Sequence, residues 1–477
     1  MYYIGIDLGT SGLKGLLVDE NGNILREESA SYPVYYPQEG WSEQNPEDWL
    51  NAAQKVLSAL TKGLEEQIAG LSVAGQMHGL VILDENNEVI RPAILWNDGR
   101  TDRQTDYLNT VIGKEKLSRL TANIAFAGFT APKILWVKEC EPRNYARISK
   151  IMLPKDYLTF KLTGVFSTDY SDASGTLLLD VKNKKWSAEM LEICSVKREW
   201  LPALYESYEV VGKILPEYNL PNCVVTAGAG DNAAAAIGTG TVEDGSCNIS
   251  LGTSGTVFVC QDDFSVDKNN ALHSFAHAGG KWHLMGCILS AASCNKWWLE
   301  DVLQTSDYTA TQNAALGENS VFFLPYLMGE RSPHNDVNAR GAFIGMSAGT
   351  TRQDMSLAVL EGVAFALRDC VEIARQNGLK ITRTNLCGGG AKSQIWQKII
   401  ANAIGVQVYM TETEQGPALG AAILAMVGSK RYDTISKACN AIVKSNLIVA
   451  PCDELVEKYN DKYQRFKKLY PALKSFF

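Results

Sequence analysis

Short apolar runs of strand length alternate along this chain with longer stretches of helical period. The opening run "IGID" passes into the turn "LGTSG", and "LKGLLVDENGNILREESASY" follows. Its Asn-Gly turn between two strand-like segments predicts a β-hairpin. The period then changes. In "NPEDWLNAAQKVLSALTKGL", Leu50, Ala53, Leu57, Leu60 and Leu64 fall on one helical face. Asn45 is a ready cap, Pro46 suits the first turn, and Asp48 complements the helix dipole. The strand-like "IAGLSVAG" comes next and runs into "QMHG". Similar alternation extends to a terminal amphipathic helix in "ELVEKYNDKYQRFKKLY", which puts the protein in the α/β class.

The five letters LGTSG end both "IGIDLGTSG" (Ile4–Gly12) and "CNISLGTSG" (Cys247–Gly255), each time after an apolar run and before another strand. One weak repeat of long period predicts two related halves rather than a short-period solenoid. At 477 residues the chain exceeds one ordinary core. We therefore expect domains at 1–243 and 244–477, packed with a cleft between them, since no low-complexity linker marks the boundary. The two copies differ at one position: Asp7 in the first is Ser250 in the second.

Composition narrows the partners. Hydrophobic residues are 46% and charged residues 21%, ordinary values for a globular enzyme. Lys plus Arg number 45 against 53 Asp plus Glu, a net charge of −8. That acidic balance, with no long basic run, argues against nucleic acid or an anionic membrane as partner. No apolar run is long enough to span a bilayer, and "MYYIGIDLG" lacks the pattern of a signal peptide. The eleven cysteines form no CxxC pair and read as reduced core thiols. A cytoplasmic protein is expected.

Five stretches carry candidate chemistry. Each Gly-Thr-Ser-Gly turn offers backbone N–H groups, hydroxyls and close approach, the properties of a phosphate cradle; tight turns use the same residues, but two copies favour the cradle. A carboxylate one residue before the first loop, Asp7, could hold Mg²⁺ through water. "NLCGGGAKSQIWQKIIANAIG" sets Gly388, Gly389 and Gly390 between a strand and a helix, as a nucleotide loop or equally as a structural turn. In "VVTAGAGDNAAAAIGTG", Asp231 opens an Ala-rich helix, either as its cap or as a general base, and the roles are compatible. "AGQMHG" and "RPAILWNDGR" supply Gln76, Met77, His78, Trp96, Asn97 and Asp98, a mixture of amide, imidazole, carboxylate and indole that suits a sugar. Core packing and structural bonding remain open for Trp96 and His78.

Together these stretches resemble the FGGY carbohydrate kinases of the actin-like ATPase superfamily, over nearly the whole chain. "GFTAPKILWVKEC", around Lys133 and Trp136, is similar to the family's first signature, with Cys140 departing at its last position. "GAFIGMSAGTTRQDMSLAVLEG" is similar to the second. "AGQMHG", "RPAILWNDGR", "LPKDYL", "SDASGT" and "GERSPHND" look like the versions found in members that act on D-xylulose.

The resemblance implies two ribonuclease-H-like domains with an interdomain cleft that closes on its substrates. It implies phosphoryl transfer from ATP to the sugar, with Asp231 as proton acceptor and Asp7 holding Mg²⁺. Thr10, Ser11, Gly12 and Lys14 would lie toward the γ-phosphate, Gly252 and Thr253 toward the other phosphates, and Gly388, Gly389 and Gly390 beside the adenosine. Gln76, Met77, His78, Trp96, Asn97, Asp98 and Asn232 would line the sugar site. One metal needs one anchoring acid, which accounts for Ser250 in the second copy. Sibling kinases of ribulose, gluconate or glycerol are the nearest alternative, and chaperone or filament ATPases a remote one. Sugar and ATP are the implied partners, and a homodimer is left open.

Overall fold

The computed structural model describes residues 1–309, 311 and 314–477. They form two compact units. Unit 1 comprises residues 1–242, 274–282 and 415–443; unit 2 comprises 243–273, 283–414 and 444–477. The expected split in chain order is thus interrupted, because two later segments return to unit 1. Among the described residues no helix is long and apolar enough to cross a membrane.

Unit 1 is built on strands β1 (Tyr2–Leu8), β2 (Gly12–Asp19), β3 (Ile24–Ser31), β4 (Ile68–Gly75), β5 (Val210–Lys213), β6 (Val224–Thr226) and β7 (Ala229–Gly230). The main sheet runs β5-β6-β4-β1-β2-β3, with β7 also paired to β4. The Asn-Gly hairpin between β2 and β3 forms as expected. Gly22 takes φ +84° there, which favours glycine, while the Asp19 carboxylate accepts from the backbone N–H groups of Asn21 and Asn23.

Helix α1 (Pro46–Thr61) packs on β2 and β3. Asn45 caps it by accepting from the Glu47 N–H at 3.2 Å, and Leu50, Ala53, Leu57 and Leu60 are buried. Leu64 lies beyond the helix end and is only half-buried.

Helix α2 (Asp231–Gly238) leads out of β7, and helix α3 (Gly416–Gly428) belongs to the returning segment. Small residues let α3 lie directly on its neighbours. A Cβ on Gly5 of β1 would fall 1.9 Å from the Ala418 carbonyl oxygen, and one on Gly420 would fall 1.8 Å from that of Ala234 in α2. No side chain fits in either gap. The mixed apolar cluster around Ala74, Ala234, Leu419, Ile423 and Cys439 is therefore completed only by residues from the far end of the chain.

Unit 2 repeats the topology. Its strands are β8 (Cys247–Leu251), β9 (Gly255–Gln261), β10 (Trp282–Ile288), β11 (Arg383–Cys387), β12 (Gln407–Thr411) and β13 (Ser445–Val449). They run β10-β9-β8-β11-β12-β13, with His273–Ala276 paired outside β10; the order matches β3-β2-β1-β4 of unit 1 over the first four strands, and the last two strands lie in the opposite chain order in the two sheets. Directions agree as well: β1/β2 and β8/β9 are antiparallel, whereas β1/β4 and β8/β11 are parallel. The core of unit 2 gathers round the 25-residue helix Arg352–Gln376, and the expected C-terminal helix (Asp453–Phe466) packs its Tyr459, Tyr463 and Phe466 into that core. All eleven cysteines are free thiols, most of them buried.

Candidate active site

Parallel register assembles the unit 1 site. Asp7 of β1 pairs with Ala74 of β4, and Ala74 pairs with Ala229 of β7. One step later Leu8, Gly75 and Gly230 are level. The chain therefore leaves all three strands together at their carboxyl ends, where α/β sheets bind ligands. The first LGTSG loop, Gln76-Met77-His78 and Asp231-Asn232 emerge there side by side.

In unit 2 Ser250 pairs with Cys387 of β11, so the second LGTSG loop lies beside Gly388-Gly389-Gly390. The glycine loop and "QMHG" are thus equivalent positions of the duplicated topology. One carries bulky polar side chains and the other carries none. Sequence comparison of the two halves missed this, because parallel pairing over such distances leaves no local signature.

Burial pushes the Asp7 carboxyl up to about 7; the charge of Asp231 adds to the shift and that of Lys14, its cross-strand partner, opposes it. Asp231 is pushed up to about 6, again by burial, against two hydrogen bonds from Asn232. Those bonds come from the Asn232 backbone N–H at 2.7 Å and its side-chain amide at 3.0 Å, both to Asp231 Oδ1. The alternative of Asp231 as helix cap does not hold, since the cap position is Gly230 and the Asp231 side chain serves the next residue. Lys14 bridges Glu27 at 3.2 Å and donates to Gln415 at 2.9 Å. Ser11 is exposed and Gly12 half-buried.

The residues expected at the sugar divide into two groups. Gln76 and Met77 are buried, and a Cβ on Gly230 would fall 2.8 Å from Met77 Cγ, so the methionine packs directly on the strand before Asp231. His78 takes φ +69°, a left-handed backbone unusual for a residue other than glycine. Lys133 secures that turn: it is buried and donates to the carbonyls of His78, at 3.0 Å, and Gly128. Thr130 adds a bond to the same His78 carbonyl at 3.1 Å. Burial brings the Lys133 amine down to about 7, Asp98 opposing and Arg100 adding. The first signature thus holds the "QMHG" turn in place. His78 Nδ1 lies 2.8 Å from the Gly175 carbonyl, which can only accept. Nδ1 therefore carries the hydrogen, and Nε2 is an acceptor in the neutral ring. The ring stacks on Phe129 at 4.7 Å.

Trp96 is 46% exposed, an open aromatic face in a unit whose other indoles are largely covered. Asn97 beside it is exposed. Asp98 is tied into the protein. Its Oδ1 accepts from Nε and the backbone N–H of Arg100 at 2.8 and 3.0 Å, and its Oδ2 from Arg100 Nη2 and the Ser42 N–H at 2.7 and 2.6 Å. The carboxylate is buried and accepts four bonds, so Asp98 braces Arg100. Arg100 in turn lies 3.7 Å over the Trp41 ring and pairs with Glu43. Nothing in "WNDGR" alone separates a free acid from a committed one.

The motifs "LPKDYL" and "SDASGT" meet in a buried charge cluster. Lys155 is buried among Asp156, Asp169 and Asp172, with its Nζ 2.6, 3.0 and 3.8 Å from their oxygens. From Asp169 the contacts continue through the Ser171 hydroxyl to the N–H of Gly230, immediately before Asp231.

In unit 2, Thr253, Gly389 and Gly390 line a cavity of about 570 Å³, joined by Ser293, Lys296, Tyr308 and Lys392. Gly388 takes φ +87° and presses on the Leu251 backbone, where a Cβ would fall 2.7 Å from the carbonyl. Gly389 and Gly390 open a short 3-10 turn (Gly389–Lys392) that leads into the helix Gln394–Ile404. The volume suits a nucleoside, and the two lysines suit its phosphates. A larger groove of about 1090 Å³ on unit 1, beside Glu65 and Pro216, contains none of the candidate residues.

A carboxylate pair at the strand ends of one sheet, and a glycine-lined cavity at the matching ends of a duplicate sheet, define a phosphotransferase of the two-sheet ATPase class. The chain belongs to the FGGY family of carbohydrate kinases: the family's N-terminal domain matches residues 2–238 and its C-terminal domain residues 247–429. Among its relatives is the "Xylulose kinase" of Escherichia coli (strain K12), 40% identical over 485 residues and covering 99% of each chain. Among solved structures, "a xyloylose kinase from Brucella ovis" superposes with a TM-score of 0.95 at 39% identity, covering 100% of both chains. A "gluconate kinase from Lactobacillus acidophilus" superposes with 0.94 at 27% identity, covering 99% of this chain and 98% of that one.

Proposed function

We propose that this chain transfers the γ-phosphoryl group of ATP to D-xylulose, giving ADP and D-xylulose 5-phosphate. The observation that carries the reading is the strand register that brings Asp7, Gln76-Met77-His78 and Asp231 to one end of the unit 1 sheet. Family membership supports the donor and the sugar-kinase activity, and full-length relatives named as xylulose kinases support the acceptor.

In this reading Asp231 takes the proton of the attacking sugar hydroxyl through its second oxygen, since Oδ1 is held by Asn232. The hydroxyl oxygen then bonds to the γ-phosphorus, the bond to the β–γ bridging oxygen breaks, and ADP departs. His78 Nε2 is positioned as an acceptor for a sugar hydroxyl, and Trp96 offers an apolar face for the carbon skeleton. Asp7 would hold Mg²⁺. Its hard oxygen donors fit an ion that keeps most of its water and binds through one or two carboxylates plus phosphates. No group of three His, Cys, Asp or Glu side chains with metal-site geometry occurs among the described residues; a site completed by water and triphosphate does not require one. When bound, the ion would neutralise phosphate charge. Thr253, Lys296, Lys392 and the three glycines would receive the nucleotide. A cytoplasmic location accords with substrates of metabolic type.

Closeness of fold to a gluconate kinase supports a second reading, in which the same base serves another acceptor. The test is Mg·ATP-dependent ADP release with D-xylulose beside D-ribulose, gluconate, glycerol and no sugar. Preference for D-xylulose is expected. Preference for another acceptor would keep the kinase and overturn the substrate.

A further inference from the structure

A closed circuit of hydrogen bonds joins the first LGTSG loop to the exposed Trp96 ring, and its directions are fixed by chemistry. An indole N–H can only donate, so Thr10 Oγ1 accepts from Trp96 Nε1 at 3.0 Å. The one hydroxyl hydrogen of Thr10 then goes to Gln76 Oε1 at 3.2 Å. That sets the Gln76 amide, whose Nε2 donates to Gln44 Oε1 at 3.0 Å. Gln44 Oε1 also accepts from the buried Trp49 indole at 3.0 Å, so this amide cannot flip either. Its Nε2 donates back to the Thr10 carbonyl at 2.7 Å and to the Pro33 carbonyl at 3.2 Å. Gln44, Gln76 and Trp49 are buried, and only the Trp96 end is open. Reversing Gln44 would set its N–H groups against those of Gln76 and Trp49, and reversing Gln76 would set its oxygen against Gln44 Oε1, in a buried site where an unmade bond is costly.

We infer that this circuit couples the two substrates, and that Gln44 is a positioning residue for the reaction. Resting on the reading of Trp96 as sugar platform and of Gly9–Gly12 as phosphate loop, the argument is one of shared geometry. A sugar on the Trp96 face holds the indole N–H on Thr10. Thr10 is tied at its hydroxyl to Gln76 and at its carbonyl to Gln44, so the loop backbone is fixed at the same moment. Ordering by one substrate lowers what the other must order, and binding becomes cooperative without contact between the ligands. By linkage, sugar tightens nucleotide by the factor with which nucleotide tightens sugar.

The test is calorimetric titration of the full chain with D-xylulose, with and without a non-hydrolysable Mg·ATP analogue, on wild type, Thr10→Val, Thr10→Ser and Gln44→Met. Turnover of wild type with D-xylulose and ATP is measured alongside. Wild type should bind sugar roughly fivefold or more tightly when nucleotide is present. Thr10→Val is close to isosteric but lacks the hydroxyl; it and Gln44→Met should bring that factor toward one. Thr10→Ser should keep it. If Gln44→Met does not fold, the Thr10 pair decides. A factor unchanged in Thr10→Val, or a wild type that turns over D-xylulose with no coupling, overturns the circuit while the xylulose reading stands. A wild type that neither binds nor phosphorylates D-xylulose overturns the reading and the circuit with it.

Discussion

Asn232 donates twice to one oxygen of its neighbour Asp231, through its backbone N–H at 2.7 Å and its side-chain amide at 3.0 Å. Two donors on Oδ1 fix the carboxylate plane, while Oδ2 has no hydrogen-bond partner among the described residues. The residue best placed to take a proton is thus oriented by the residue that follows it.

Asp231→Asn keeps this shape and removes the proposed base. We expect kcat to fall by roughly 10²–10⁴-fold, the range for losing general base catalysis, with sugar affinity much less changed. Steady-state ADP release and sugar titration on the purified variant check it.

The same geometry sets a pH limit. As the proposed base Asp231 would work only when ionised, and burial raises its pKa to about 6 against the pull of Asn232. Activity should therefore be lost as pH falls through about 6. Asn232→Ala removes one of the two bonds that favour the charged form, so its acidic limb should move to higher pH. Profiles of kcat/KM against pH for both proteins give the answer, and a limb that stays in place would argue against Asp231 as the titrating base.

Lys155 offers a stability test. Burial works against its charge, but the carboxylates of Asp156, Asp169 and Asp172 outweigh that and hold the ammonium above its usual range. Lys155→Met leaves those carboxylates without their cation. Breaking a buried pair from one side costs about 3–5 kcal/mol, read as a lower urea midpoint. Because Asp169 reaches the Gly230 N–H through Ser171, a fall in kcat of the folded fraction should accompany it.

Glu330, in "GERSPHND", is buried in unit 2. One oxygen accepts from the backbone N–H groups of Leu289 and Arg331, and the other has no hydrogen-bond partner among the described residues. Burial pushes its carboxyl up to about 8, with those two bonds opposing. The folded state therefore keeps a proton that the unfolded chain releases near pH 4.5. Its contribution to stability is full below that value and is lost as pH rises through about 8. Glu330→Gln cannot ionise, so its Tm should decline less than that of wild type between pH 6 and pH 9.

What the sequence could reveal depended on the distance over which each feature is encoded. The LGTSG turns, the Asn-Gly hairpin and the capped helix at Asn45 are local patterns and form as read. Asp98 looked like Asp7, a lone acid beside small residues, and only Arg100 and the Ser42 backbone tell them apart. Gln44 stands two residues before a helix with nothing to mark it, since its partners Thr10, Gln76 and Trp49 come from other elements. The equivalence of "QMHG" and "CGGG" appears once parallel register is known, because the residues themselves share nothing but position.

Helix α3 bears on how the protein is made. A ribosome that has released residues 1–242 has supplied β1, β4 and α2 but not the helix at Gly416–Gly428 whose backbone closes over Gly5 and Ala234. At ordinary elongation rates the nascent first unit waits roughly ten to forty seconds for that piece, with an apolar face uncovered. Its maturation must then follow synthesis of nearly the entire polypeptide, and a truncated first half is a natural client for chaperones.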